Sequence, residues 1–176
     1  EKLEKFMAGK PVAEQEIGNA LLQEIVAYAE TSISRRKFIL HYFGEAFDDV
    51  HGDGAEMDDN VRNPKEKFES GQELAKLIRV VLETSEKFKA KEVVKTLTGA
   101  SNALITSHRT EEKEIFGIGS DKDKNFWMAL IRQALVAGYL RKEIEQYGIL
   151  LVTDLGRAFL KAPSSFMMAR DHVYEE

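Results

Sequence analysis

Apolar residues recur at three- and four-residue spacing through "VAEQEIGNALLQEIVAYAE", where Ile17, Leu21, Ile25 and Tyr28 fall on one face. That period predicts an amphipathic helix, and Pro11 suits its start. After "TSIS" the pattern resumes in "RRKFILHYFGE", with Ile33, Phe38, Ile39, Tyr42 and Phe43 as a second stripe and Gly44 as a C-terminal stop. The two stripes predict a helical hairpin held by apolar packing. The pattern then fails: Glu45 to Asp59 hold 7 acidic residues and no Lys or Arg, which predicts a solvated, self-repelling, mobile loop. "VRNPKEKFESG", with its break between Pro64 and Gly71, reads as a linker.

Beyond Gly71 the periodicity returns in shorter pieces. "QELAKLIRVVLETSEKF" is a helix through Leu74, Leu77, Ile78, Val81 and Leu82; "AKEVVKTLTG" is a shorter one ended by Gly99; "NALITSHR" predicts a further turn. The Gly-spaced "FGIGSD" leads into "KDKNFWMALIRQALVAG", which turns Phe126, Trp127, Leu130, Ile131, Ala134 and Leu135 inward. Ser120 with Asp123 resembles a capping box and places this helix start at Ser120. "YLRKEIEQ" and "ILLVTD" are strand-like runs around "YG", read as a tight two-residue hairpin turn with Gly148 at positive φ, and "LGRAFLKA" is a last helix. Three helices followed by a two-stranded hairpin is the order of a winged helix. The expected fold is mainly α with a small β-hairpin, divided into a helical hairpin platform (1–68), a winged-helix domain (69–162) and a C-terminal tail or linker (163–176).

Charge matters only once it is divided. The net charge of −5 argues against a nucleic-acid binder. Residues 71–161, however, hold 15 basic and 12 acidic side chains, against 9 and 15 in residues 1–70. No apolar run could span a membrane, no signal peptide opens the chain, and the absence of cysteine excludes disulfides and thiolate metal sites. A cytoplasmic monomer is expected, associated with the nucleoid if bacterial. The opening "EKLEKFMAGKP" already reads as helix, so a longer parent protein is expected. Neither a GxxxxGK[ST] loop nor a supported Ser-His-Asp or Cys-His arrangement occurs, so catalysis and cofactors are not expected of this chain itself.

"SRRKFILHYFGE", "DDNVRNP", "FGIGSDKDKNFWMALIRQALVAGYL" and "LLVTDLGRAFL" in combination resemble the RecQ C-terminal region of RecQ DNA helicases, over nearly the whole chain. The resemblance implies a zinc-binding helical subdomain joined to a winged helix. That winged helix would hold duplex and forked DNA while an adjoining motor, using ATP and Mg²⁺, pulls one strand 3′-to-5′ in replication, recombination and repair. It also implies four zinc cysteines around the hairpin. Here those positions read Ser34, approximately Gly52, Asp58 and Val61; glycine and valine side chains offer no lone pair, so zinc is expected to be absent. Nor does the acidic loop make an EF-hand: with Asp49, His51, Asp53 and Gly54 aligned to its start, Asn60 occupies the position of the bidentate Glu. An adventitious divalent cation at His51 with Asp53 or Asp58 is the remaining alternative to a solvated loop.

Candidate DNA contacts are Ser120, Lys122, Lys124 and Asn125 at the start of the recognition helix, with Arg132 and Gln133 further along its polar face. Ser107, His108, Arg109 and Lys113 in the preceding connection join them. Each can equally be an ordinary surface residue, and Asp121 and Asp123 repel phosphate unless they are turned to capping. Tyr147, at the turn, can stack on an exposed base pair. The resemblance implies a strand-separating wedge there, and the alternatives are a ring folded back on the domain or a plain turn residue. Trp127 and Phe126 read as core, His41 as a packing histidine. Against a DNA-binding helicase module stands a winged helix that docks the motor or a protein partner; a transcription regulator ranks last, for want of a dimerisation element.

Overall fold

The structure, a computed structural model, describes residue 5, residues 9–143 and residues 146–171. Helices α1 (Val12–Glu30) and α2 (Arg35–Tyr42) form the hairpin, followed by a 3₁₀ turn (Ala55–Met57) and the short α3 (Asp59–Arg62). Strand β1 (Lys67–Glu69) leads into α4 (Gly71–Glu83), α5 (Ala90–Thr98), α6 (Ala103–Ser107) and a second 3₁₀ turn (Thr110–Glu112). Then come α7 (Lys124–Val136), β2 (Leu140–Glu143), β3 (Ile149–Val152), α8 (Asp154–Lys161) and β4 (Met167–Ala169).

The core lies in the second part and follows the predicted stripes. Leu74, Leu77, Ile78 and Val81 of α4 meet Val93, Val94 and Leu97 of α5 and Trp127, Leu130, Ile131 and Ala134 of α7. Leu140 and Leu150 of the hairpin and Phe159 of α8 close it. The "FGIGS" stretch is a packing device: Gly117 and Gly119 donate their amides to the last carbonyls of α5, Thr96 (2.7 Å) and Leu97 (2.9 Å). The Gly119 carbonyl accepts from Trp127 Nε1 at 2.9 Å. Helix α7 starts at Lys124, later than expected, because Asp123, rather than Ser120, caps it by accepting from the Phe126 amide at 2.8 Å.

The β structure exceeds what the sequence predicts. Strands β2 and β3 pair antiparallel, but the register Glu143↔Ile149 makes the connection residues 144–148, longer than the expected two-residue turn. Its last two residues, Tyr147 and Gly148, both have positive φ (+56° and +82°), and the Gly148 amide closes the loop on Glu143 O at 2.9 Å. A third segment lies beside β3, where Lys89 bridges Ile149 and the Leu150 amide donates to Phe88 O at 2.9 Å. A second sheet joins β1 to β4, so residues 167–169 of the expected tail pair with a strand inside the expected linker. Gln133, expected on a polar face, is buried against Ala169 and exchanges two hydrogen bonds with its backbone, of 2.6 and 2.9 Å.

Apolar packing holds the helical hairpin only in part, because most of the two expected stripes is exposed. Ile17, Leu21 and Ile25 are 52%, 50% and 61% exposed, and Phe43 is 72% exposed. Ala27 and Phe38 are the buried apolar side chains of the two helices. The two helices meet through the Tyr28–Phe38 ring pair, centroids 6.3 Å apart, and through Arg35, which donates to Tyr28 O at 2.6 Å, while further polar contacts tie down the acidic loop that was expected to be mobile. Lys37 pairs with Asp49 at 2.8 Å, Arg35 with Asp59 at 3.0 Å, Arg36 donates to Asp53 O, and Arg62 donates to Glu56 O at 2.7 Å.

Candidate nucleic-acid interface

Tyr147 is 49% exposed. Its ring lies beside Lys89, whose Nζ is 5.6 Å from the ring centroid, an arrangement that attracts the ammonium to the π face. The same ring forms part of a cleft of about 330 Å³ between the platform and the winged helix, with Ile17, Leu21, Phe38, Tyr42 and Leu135 among its other walls. Tyr147 is thus neither in the core nor projecting free of it. His41, read from the sequence as a packing histidine, is exposed at the rim of this cleft. Partial desolvation lowers its pKa, with Glu24 opposing.

Lys89 escaped the sequence reading because "TSEKFK" shows no alternation; the pairing that brings it to the wing is a single bridge to β3. That segment also connects two predicted groups. His108 packs edge-on against Phe88, ring centroids 5.3 Å apart, and its Nδ1 lies 2.9 Å from Leu104 O. Ser107 donates to Leu104 O at 2.8 Å, and Arg109 follows at φ +49°, exposed. Ser107, His108 and Arg109 therefore adjoin the wing through Phe88, Lys89 and Tyr147. Lys113 has a structural task, donating to Glu83 O at the end of α4 (2.6 Å).

The α7 start forms a second group. Ser120, Lys124 and Asn125 are exposed there. Lys122 lies 3.7 Å from Asp121 and 5.7 Å from the Phe126 ring centroid. Phe126 neighbours Phe68 of β1, over which Arg170 sits 6.0 Å away. Asp121 also pairs with Lys76 at 3.5 Å, and Asp123 is turned to capping. Arg132 is elsewhere: its side chain is 11% exposed and bridges Glu30 of α1 (3.0 Å) and Asp171 (2.5 Å). It fastens the platform to the winged helix, as do Lys142 with Glu24 and Ser32 with Arg170 O.

At the positions of the family's zinc cysteines, Ser34 donates to Asp58 at 3.0 Å, and both are buried. Burial alone would raise the Asp58 pKa, but the Arg36 amide, the Ser34 hydroxyl and the Asn60 and Val61 amides together hold it below the usual carboxylate value. Among the described residues no group of three or more His, Cys, Asp or Glu could hold a metal ion. The donor set of Ser34, Asp58 and Val61 does not fit zinc. No described helix is long and apolar enough to cross a membrane.

The family model described as RQC domain matches residues 64–176, and that described as RecQ zinc-binding matches residues 1–56, ending before Asp58 and Val61. The chain is similar to a protein named ATP-dependent DNA helicase RecQ from Pasteurella multocida, 28% identical over 173 residues that cover 97% of this chain and 27% of that protein. It is similar also to one of the same name from Haemophilus influenzae, 26% identical over 173 residues with the same coverage. The chain thus spans about a quarter of the length of these relatives.

Proposed function

We propose, on the premise that this chain belongs to the RQC domain family and is a RecQ C-terminal region, that it is the DNA-engaging module of a RecQ-like ATP-dependent helicase. In this reading the winged helix seats duplex DNA. Lys122, Lys124, Asn125 and Ser120 offer phosphate contacts at the start of α7, and Ser107, His108, Arg109 and Lys89 offer them beside the wing. Tyr147 stacks at the junction of a fork. ATP and Mg²⁺ belong to the motor of the parent protein. The observation that carries the reading is Tyr147: a half-exposed ring on the wing, in left-handed backbone, with an ammonium at its face. Backbone strain of this kind persists where surrounding structure enforces it, and it concentrates at working sites.

The exposed α1 face of Ile17, Leu21 and Ile25 favours a second reading, a module that docks the motor or a protein partner without direct DNA contact. Fluorescence anisotropy with a forked duplex at low salt separates the two. Saturable binding at or below tens of micromolar, the order of non-specific affinity, is expected of the DNA module. No binding at that concentration favours the docking reading.

A further inference from the structure

We propose that the Asp58 carboxylate is the structural cross-link of the platform, in the place where the resemblance to RecQ C-terminal regions implies a metal, and that the platform folds without any metal ion. The inference does not depend on the DNA reading.

A metal in such a hairpin would tie the start of α2 to a segment more than twenty residues away. Asp58 does this with its two oxygens. Oδ2 accepts from Ser34 Oγ and from the Arg36 amide, both at 3.0 Å, across separations of 24 and 22 residues. Oδ1 accepts from the Asn60 amide at 3.0 Å and so fixes the start of α3. Asn60 is buried too, and its Nδ2 donates to Thr31 O (2.8 Å) and Ile33 O (2.9 Å), the carbonyls of the α1–α2 connection. The two residues thus tie the connection and the start of α2 to α3.

The placement also follows from helix electrostatics. The first amides of α2 have no partner within the helix and carry its positive end. Ser34 caps one of them, accepting from the Lys37 amide at 3.2 Å, while Asp58 takes that of Arg36. An anion here therefore meets the helix start, a hydroxyl and a second helix's amide at once.

The same contacts leave no metal site. The Ser34 hydroxyl hydrogen is given to Asp58, the Asp58 oxygens accept from Ser34, Arg36 and Asn60 as well as from the Val61 amide, and the Val61 side chain has no lone pair to offer a metal. Gly52 supplies no side chain, and its amide is bonded to Asp48 O at 2.9 Å. The neighbouring carboxylate Asp59 is held by Arg35 at 3.0 Å. Zinc coordination at these positions would require breaking bonds that already satisfy the buried groups.

The test combines metal analysis with thermal unfolding of the protein and its Asp58→Ala, Asp58→Asn and Ser34→Ala variants. The purified protein is expected to contain no stoichiometric zinc, and neither EDTA nor added zinc should move its Tm. Asp58→Ala should lower Tm by roughly 5 to 10 °C. Should Asp58→Ala fail to fold, Asp58→Asn keeps the size but turns a donor toward either the Arg36 amide or the Asn60 amide, and it should fold with a lowered Tm. In the Ser34→Ala background the effect of the Asp58 change should shrink, because the two share one bond. One zinc per chain together with a Tm that falls on chelation would overturn the proposal. So would an Asp58→Ala or Asp58→Asn protein as stable as the parent.

Discussion

Tyr147 and Arg132 show how little a residue's type says about its task. Both looked able to touch DNA, yet one is a half-exposed ring on the wing and the other is 11% exposed between two carboxylates. Truncating Tyr147 removes stacking surface and leaves every cation in place, so Tyr147→Ala should keep duplex affinity within about twofold. It should slow unwinding by the parent helicase several-fold, stacking on a base being worth about 1–3 kcal/mol. Equal unwinding rates for parent and variant would remove the wedge role. Arg132→Ala strands Asp171, which is 10% exposed, and cuts the tie to Glu30. Urea unfolding should register a loss of about 3 kcal/mol, the scale for breaking a buried ion pair by removing one partner.

At the scale of elements, the long stripes of α4, α5 and α7 were legible because a 3.6-residue period needs only the chain itself. What stayed hidden depends on partners. The β1–β4 sheet pairs three residues at each end of the winged-helix region, and the Lys89 bridge is shorter still, so neither has room for alternation. The hairpin stripes misled for a related reason: an apolar face predicts a helix but not what covers it. The polar latch was unreadable because Ser34 and Asp58 lie 24 residues apart in a stretch whose charges suggested only repulsion. The Gly119 element was legible as a motif but not as a mechanism. A Cβ there would fall within the Trp127 indole, so Gly119→Ala should cost about 1–3 kcal/mol, the usual toll of overpacking, with Trp127 fluorescence reporting the shifted ring. The latch carries its own signature in acid. The folded-state pKa of Asp58 lies below its unfolded value of about 3.9, so its contribution is complete above that pH and vanishes as pH falls through the folded value. The gap in urea midpoint between parent and Asp58→Ala should therefore be full at pH 7 and narrow progressively below about pH 4.

Across the whole molecule the net charge of −5 misrepresents how charge is deployed. The platform keeps the acidic excess and pairs its own cations internally, setting Arg35 and Lys37 against the carboxylates of Asp59 and Asp49 and Arg36 against the Asp53 carbonyl. The excess of base lies in residues 71–161, where exposed Lys124 and Asn125 stand at the start of α7 and exposed Arg109 beside the wing. A surface of that kind binds DNA by displacing condensed counterions, each phosphate neutralised adding about −0.9 to the slope of log K against log salt. Four such contacts should give a slope of roughly −3 to −4 on a forked duplex. Single substitutions then separate the structural role of basic residues from the proposed phosphate-contacting one. Lys124→Ala should weaken binding to all sequences alike and make the slope shallower by about one. Arg132→Ala, already committed to Glu30 and Asp171, should lower stability while leaving the slope of the folded protein unchanged. Anisotropy titrations at several salt concentrations check both. A slope near zero for the parent would mean that the basic excess meets something other than phosphate, and the exposed α1 face would then become the leading contact surface.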